Sequence, residues 1–267
     1  MFITVITDCH DSNALGRQST RYASLFGFRP SFVSVSGNMD HSAELETAGD
    51  VIDCLDAGLG RKGLIVFNVA PRGGHGISRE NGSPFGYFKY GRTFVFGTVD
   101  GLVLPFLKNF GLLDEVFVSD LEQTMRSAIE EKIAGEDELK KSLFTQFRSF
   151  DYLPFASYVL KKRGALPGKT EKVADLPKEF SGRIWKIDNF GNMKTDITAG
   201  ETDGQTVYSK WGNLKIYRSM KDAPLGETCA VVGSSGLGDK RFIEIIRRGE
   251  NCAEALFARA GEKIFVI

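Results

Sequence analysis

The sequence predicts two domains of different class: an α/β N-terminal domain with a mostly parallel sheet over residues 1–165, and a smaller C-terminal all-β barrel domain over residues 181–267. Three observations predict it. Through residue 165, short apolar runs alternate with helix-spaced patterns, as strands joined by crossover helices do. Beyond 180, apolar residues recur at period two between turn signals. Between them, residues 166–180 hold Pro167, Gly168 and Pro177 and no apolar period, which marks a linker.

Each element has its own signal. Phe2 to Ile6 reads as the opening strand, and Ala14 to Phe26 as a helix closed by Gly27. Leu45, Ala48, Ile52, Leu55 and Leu59 recur at intervals of three and four, an apolar helix stripe that Gly58 or Gly60 terminates. Leu64 to Val69, Thr93 to Phe96 and Glu115 to Val118 are strand-like runs of Val, Ile and Phe. Residues 122–143 form one charged helical stretch, and Leu153, Ala156, Val159 and Leu160 mark a helix that ends at Gly164. In the second domain, Arg183 to Asp188, Asn213 to Tyr217, Thr228 to Val232, Arg241 to Ile245 and Lys263 to Ile267 alternate as strands. Asp203-Gly204 and Trp211-Gly212-Asn213 supply turns. Asn251 followed by Glu254 is a capping arrangement for a short helix stopped by Gly261.

Lys plus Arg and Asp plus Glu number 34 each, so no global field recruits nucleic acid or an anionic membrane. Cys9, Cys54, Cys229 and Cys252 are scattered, with no zinc-ligand spacing, so neither a metal nor a cofactor is expected. No signal-peptide pattern is visible, and no apolar run approaches the roughly 20 residues of a membrane span, so a cytoplasmic setting is expected. Phe is abundant, 21 residues against 2 Trp and 7 Tyr, which points to large cores, a subunit interface or an aromatic pocket.

Four segments carry chemistry. Thr7-Asp8-Cys9-His10-Asp11 follows the first strand, at the carboxyl end where α/β sheets bind ligands. Asp8 there suits a ribose diol, while Asp8 or Asp11 equally suits a helix cap. Val69-Ala-Pro-Arg-Gly-Gly-His-Gly76 lets backbone approach a ligand closely, or is a plain surface loop; it lacks a phosphate-loop spacing. Gly233 to Lys240 fails that test too, with Asp239 where a phosphate loop has Lys. Asp188, Phe190, Asn192 and Thr195 gather around one glycine turn: Asp suits an ammonium, Phe a base, and Asn a heterocycle edge, unless the segment is an ordinary hairpin turn. Ser234-Ser235, between Gly233 and Gly236, offers donors suited to a carboxylate.

In order, these segments resemble the S-adenosyl-L-methionine hydroxide adenosyltransferase family, whose relatives include the adenosyl fluorinase and chlorinase. The resemblance lies in Ile3-Thr-Val-Ile-Thr-Asp8, in the stretch Ile65 to Gly74, in the IDxFGN-type run Gly182 to Ile197, and in Val232-Gly-Ser-Ser-Gly236 with Phe242-Ile-Glu-Ile245. It implies a homotrimer with S-adenosylmethionine held between the N-terminal domain of one subunit and the C-terminal domain of its neighbour. By matching position, Asp8 would hold the ribose hydroxyls, Phe190 and Asn192 the adenine, Asp188 the methionine ammonium, and Ser234 with Ser235 the carboxylate. The implied reaction is displacement at ribose C5′ by water, hydroxide or another nucleophile, releasing methionine and adenosine. The sequence departs from the family where water is handled: Ala70 stands at the place of its Asp, and Arg148 at that of its His. Arg72, His75, Arg79 and Arg148 are the candidate substitutes. The alternative expectation is a catalytically inactive S-adenosylmethionine or adenosine sensor, or a scaffold.

Overall fold

The computed structural model describes residues 1–35, 41–71 and 82–264. In the first domain, strands and helices alternate as β1 (Phe2–Thr7), α1 (Ser12–Phe26), β2 (Ser31–Ser34), α2 (Ser42–Ala57) and β3 (Gly63–Asn68). Then come β4 (Phe85–Tyr90), β5 (Thr93–Thr98), α3 (Val103–Phe110), β6 (Glu115–Ser119), α4 (Leu121–Glu130), α5 (Glu136–Phe144), α6 (Arg148–Asp151), α7 (Leu153–Arg163) and β7 (Gly168–Lys172). The seven strands make one sheet in the order β2-β1-β3-β5-β4-β6-β7.

That sheet is mixed, which corrects the expectation of a mostly parallel one. β2, β1, β3 and β5 pair in parallel, whereas β5-β4, β4-β6 and β6-β7 pair antiparallel. The cause is local: a two-residue turn at Gly91-Arg92, with Gly91 at φ 56°, folds β4 back on β5 without a crossover. β7 is the other addition. It lies inside the segment read as a linker and forms the edge of the first sheet, its exposed Gly-Lys-Thr-Glu-Lys sequence carrying none of the apolar alternation of a covered strand. The charged stretch 122–143 also divides, into α4 and α5, with Lys132 at φ 59° between them.

The second domain comprises β8 (Ile184–Ile187), β9 (Met193–Thr198), β10 (Thr206–Ser209), β11 (Gly212–Tyr217), β12 (Thr228–Leu237), β13 (Lys240–Arg247) and α8 (Cys252–Ala255). Its six-stranded sheet runs β10-β11-β12-β13-β9-β8 and curls as a half-barrel rather than closing into the expected barrel. Lys263 bridges to Arg183, and residues 265–267 of the expected last strand lie outside the described residues.

The two sheets share α2. Of its 16 residues, 11 are buried, including Glu44 and Asp50, because the helix packs on the first sheet on one side and on β8 and β12 on the other. Trp185 of β8 and Phe242 of β13 join the core of the first domain with Leu45, Val51, Phe106 and Phe110. Gly49 makes room for this contact: a Cβ there would clash with the Trp185 ring. Glu46, Asp50, Asp53 and Asp56 are spaced three or four apart and so share one face of α2, which meets the second sheet. Lys186 reaches Asp50 at 2.8 Å and Glu46 at 3.2 Å, Lys194 lies 3.6 Å from Asp53, and Arg241 lies 2.9 Å from Asp56. Burial pushes the Asp50 carboxyl up to about 6 even beside Lys186, so desolvation outweighs the ion pair there.

Candidate functional site

The first group of site residues sits where β1 and β3 end. Asp8 leaves β1 and accepts the Ala70 N–H at 3.1 Å, which ties the carboxyl ends of the two parallel strands together. The helix cap falls to Asp11 instead, whose side chain accepts from the N–H groups of Asn13 and Ala14, both at 3.0 Å. Asp8 thus stands at the sheet edge where ligands bind in α/β folds. Its neighbour Cys9 is no nucleophile: burial and then the Asp8 charge push the thiol up to about 11, so it stays protonated. Ala70 is exposed and gives Asp8 only its backbone N–H.

The second group is the turn between β8 and β9. Asp188 accepts from the Phe190 N–H at 2.8 Å, the Asn192 N–H at 2.9 Å and the Asn192 side-chain amide at 2.9 Å. Gly191, at φ 84°, completes the turn, and a Cβ on it would collide with Asn251, the residue capping α8. The Ala253 N–H then donates to the Gly191 carbonyl at 3.0 Å, so α8 buttresses the turn from behind. The outcome is a rigid loop with an exposed ring: Phe190 is 71% accessible, while Asn192 beside it is 8% accessible. Thr195 faces the interior and donates to the Ile243 carbonyl, so it belongs to the sheet rather than to the site.

The third group corrects a pairing. A register irregularity in β12 between Val232 and Gly236 leaves Ser234 exposed and turns Ser235 inward, where it is 2% accessible. The Ser235 hydroxyl donates to Asp53 of α2 at 2.8 Å and accepts from Lys194. Ser235 is therefore part of the seam between the sheets, and Ser234 alone of the pair faces solvent.

Sequence reasoning missed Glu244. It lies on β13, opposite Lys194 in register, and is 7% accessible. Its signal was available, a carboxylate inside the apolar run Phe242-Ile-Glu-Ile245, where burial demands a specific reason. Among the remaining candidates, Arg148 opens α6 and donates to the Ser83 carbonyl at 3.3 Å. Its Nε is buried without a hydrogen-bond partner among the described residues, and burial lowers its pKa. Arg72, His75 and Arg79 lie outside the described residues. Among the described residues no cluster of His, Cys, Asp and Glu could hold a metal ion, and no helix is long and apolar enough to cross a membrane.

No family model matches the sequence, and no curated protein matches it. Solved structures do. The chain shares their fold from end to end. An uncharacterized conserved protein from Thermotoga maritima is 17% identical, with a TM-score of 0.65 and full coverage of both chains. A conserved hypothetical protein from Thermus thermophilus is 19% identical, with a TM-score of 0.60 over 100% of this chain and 99% of that one. At such identities the likeness concerns architecture: the mixed sheet, the half-barrel and their joint arrangement belong to a fold found in other chains.

Proposed function

We propose that this protein binds S-adenosyl-L-methionine and cleaves it by nucleophilic displacement at ribose C5′. The observation that carries the reading is the Asp188–Asn192 turn, a preformed loop that carries a solvent-facing Phe190 and a buried Asn192, both tied to Asp188. An exposed aromatic on a fixed backbone is a stacking platform for a base. Asn192 supplies the polar edge beside it, with one amide hydrogen left after its bond to Asp188. Asp8, at the carboxyl edge of the other domain, suits the ribose hydroxyls. Ser234 and Asp188 face the amino-acid end of the ligand.

In the reaction, an oxygen lone pair of water or hydroxide forms a bond to C5′ as the C5′–sulfur bond breaks. The electron pair stays on sulfur, which leaves as the neutral thioether of methionine; attacking water then gives up one proton to solvent, whereas attacking hydroxide gives the 5′-hydroxyl directly. A sulfonium is already a good leaving group, so the protein's contribution is alignment and a partly dehydrated nucleophile. Arg148 is a candidate to orient that oxygen, and Arg72, His75 and Arg79 are others. Asp8 and the Asp188 turn belong to different domains, and a homotrimer would bring one subunit's Asp8 to its neighbour's turn. Sedimentation should then report three times the 29.4 kDa chain mass.

A second reading, a binding protein without turnover, is favoured by Ala70, which has no side-chain group to place a water beside Asp8. Incubation with S-adenosylmethionine followed by chromatography separates the two. Stoichiometric methionine and adenosine, or a 5′-substituted adenosine, supports cleavage; calorimetric binding without products supports the sensor; absence of binding rejects both.

A further inference from the structure

We propose that the outer face of α1 is a second binding site, an anion groove that takes a ligand carrying a chain of two or more phosphates. The groove is separate from the Asp8 and Asp188 groups, and the inference does not depend on the adenosyl reading.

Two adjoining cavities, of about 480 and 410 Å³, run along α1 and share Arg21 and Ser24. Ser12, Asn13, Arg17, Thr20, Arg21 and Ser24 recur at the helical period, so one face of the helix lines the groove. Gly16 keeps that face open, since a Cβ there would meet nothing within 4 Å. The two arginines are one turn apart, and each rests on an aromatic ring from a neighbouring helix. The Arg17 guanidinium lies 3.8 Å from the centre of the Phe150 ring of α6, and that of Arg21 lies 5.0 Å from the centre of the Phe155 ring of α7. A guanidinium laid over a ring keeps its in-plane N–H groups for acceptors. Among the described residues no ion pair or side-chain hydrogen bond engages either one. At the other end Lys132, which follows α4, lines the same groove. The one carboxylate among the lining residues, Glu138, accepts the Gly135 N–H at 2.9 Å. Asp11, at the start of the helix, is committed to capping it.

Three cations thus face an open groove, which is a local field for an anion. The zero net charge of the chain is no obstacle, because charges within a Debye length, about 10 Å at 0.1 M salt, act on a ligand directly. A lone carboxylate would answer one arginine only, since side chains four apart on a helix stand about 5–6 Å apart at Cβ. A phosphate chain carries charge at successive points. Its oxygens match the guanidinium forks of Arg17 and Arg21 and accept from the hydroxyls of Ser12, Thr20 and Ser24.

Calorimetry on the full-length protein at low ionic strength tests this with inorganic tripolyphosphate, orthophosphate and a hexaglutamate peptide. Wild type should bind tripolyphosphate with a Kd of about 100 μM or tighter, and at least about tenfold more tightly than the other two. Arg17→Gln combined with Arg21→Gln should weaken it at least about tenfold. Should that double variant not fold, Gly16→Glu serves instead: it sets a carboxylate beside Arg17 where a side chain has room, raises helix propensity, and should abolish binding. In Phe190→Ala, which lacks the base platform of the Asp188 turn, adenosine triphosphate tells the source of the phosphates. Affinity equal to that of tripolyphosphate assigns a bare chain. Tighter binding that Phe147→Ala removes assigns a nucleotide, its base on the Phe147 ring, which is 63% accessible and stacked on Phe150. Saturating adenosine should leave tripolyphosphate affinity unchanged. Competition between the two overturns the inference, as does absence of tripolyphosphate binding in wild type at about 5 mM, equal affinity for the hexaglutamate peptide, or full affinity in the arginine double variant or in Gly16→Glu.

Discussion

Asp188 and Phe190 are two residues apart and do opposite kinds of work. The three hydrogen bonds on Asp188 hold the turn together, so Asp188→Ala should destabilise the protein by about 2–3 kcal/mol in chemical denaturation, at roughly 1 kcal/mol for each bond. Phe190→Ala removes an exposed ring and should change stability by less than about 0.5 kcal/mol. Its effect belongs in binding, where loss of a stacking partner is worth about 1–3 kcal/mol, or roughly tenfold or more in affinity for adenosine. Equal stability losses in the two variants would sink this division of roles. The turn was legible because Asp, Gly and Asn at fixed offsets have few conformations open to them. Ser235 was not, since nothing in Gly-Ser-Ser-Gly tells which hydroxyl an acidic helix 182 residues away in sequence will take.

At the scale of elements, α2 against β8 is the contact that decides most. In an isolated helix Ala is preferred to Gly by about 1 kcal/mol, so propensity alone would make Gly49→Ala stabilising. The Trp185 ring occupies the position of the new methyl group, and overpacking costs about 1–3 kcal/mol. Packing should win, with a lower melting temperature for Gly49→Ala; a rise would show that the seam is loose. β9 holds a second test. Asp196 accepts the N–H groups of Gly182 and Arg183 at 2.9 and 2.8 Å, yet burial pushes its carboxyl up to about 7. A raised folded-state pKa means the native protein binds the proton more tightly than the unfolded chain. The stabilisation from that proton is therefore complete below about pH 4 and is lost as pH rises through about 7. Unfolding free energies of wild type relative to Asp196→Asn, measured from pH 4 to 8, should fall along that interval; a constant difference would refute the shift. Capped elements such as α1 and α7 were readable in the sequence, from Gly27 and Gly164 in the left-handed region. β4 and β7 were not, because an edge position and a hairpin partner impose no apolar pattern of their own.

At the scale of the whole molecule, two domains in sequence are one folding unit in space. Trp185 and Phe242, contributed by the second sheet, complete a core whose other members come from α2, α3 and the first sheet. A fragment of residues 1–180 would leave α2 without the surface that covers Gly49 and without the partners of Asp50, Asp53 and Asp56. It should lack a cooperative thermal transition, and a fragment that melts sharply near the full-length temperature would contradict the shared core. The phenylalanine abundance fits this architecture: Phe67, Phe96, Phe106, Phe110, Phe180 and Phe242 are core residues. Phe190 and Phe257, at 71% and 91% exposure, are surface aromatics of the second domain and lie outside this core.

The sequence by itself determined the local features: two regions of different periodicity, the capped helices, the Asp188 turn and the apolar stripe of α2. These follow from backbone preferences and side-chain spacing within a few residues. The tertiary structure alone decided that the first sheet is mixed, that the second stays open, that Ser235 belongs to the seam, and that Glu244 lies buried against Gly233. Each of these depends on which distant group occupies a given space or accepts a given proton, and sequence spacing carries no information about a partner far away along the chain.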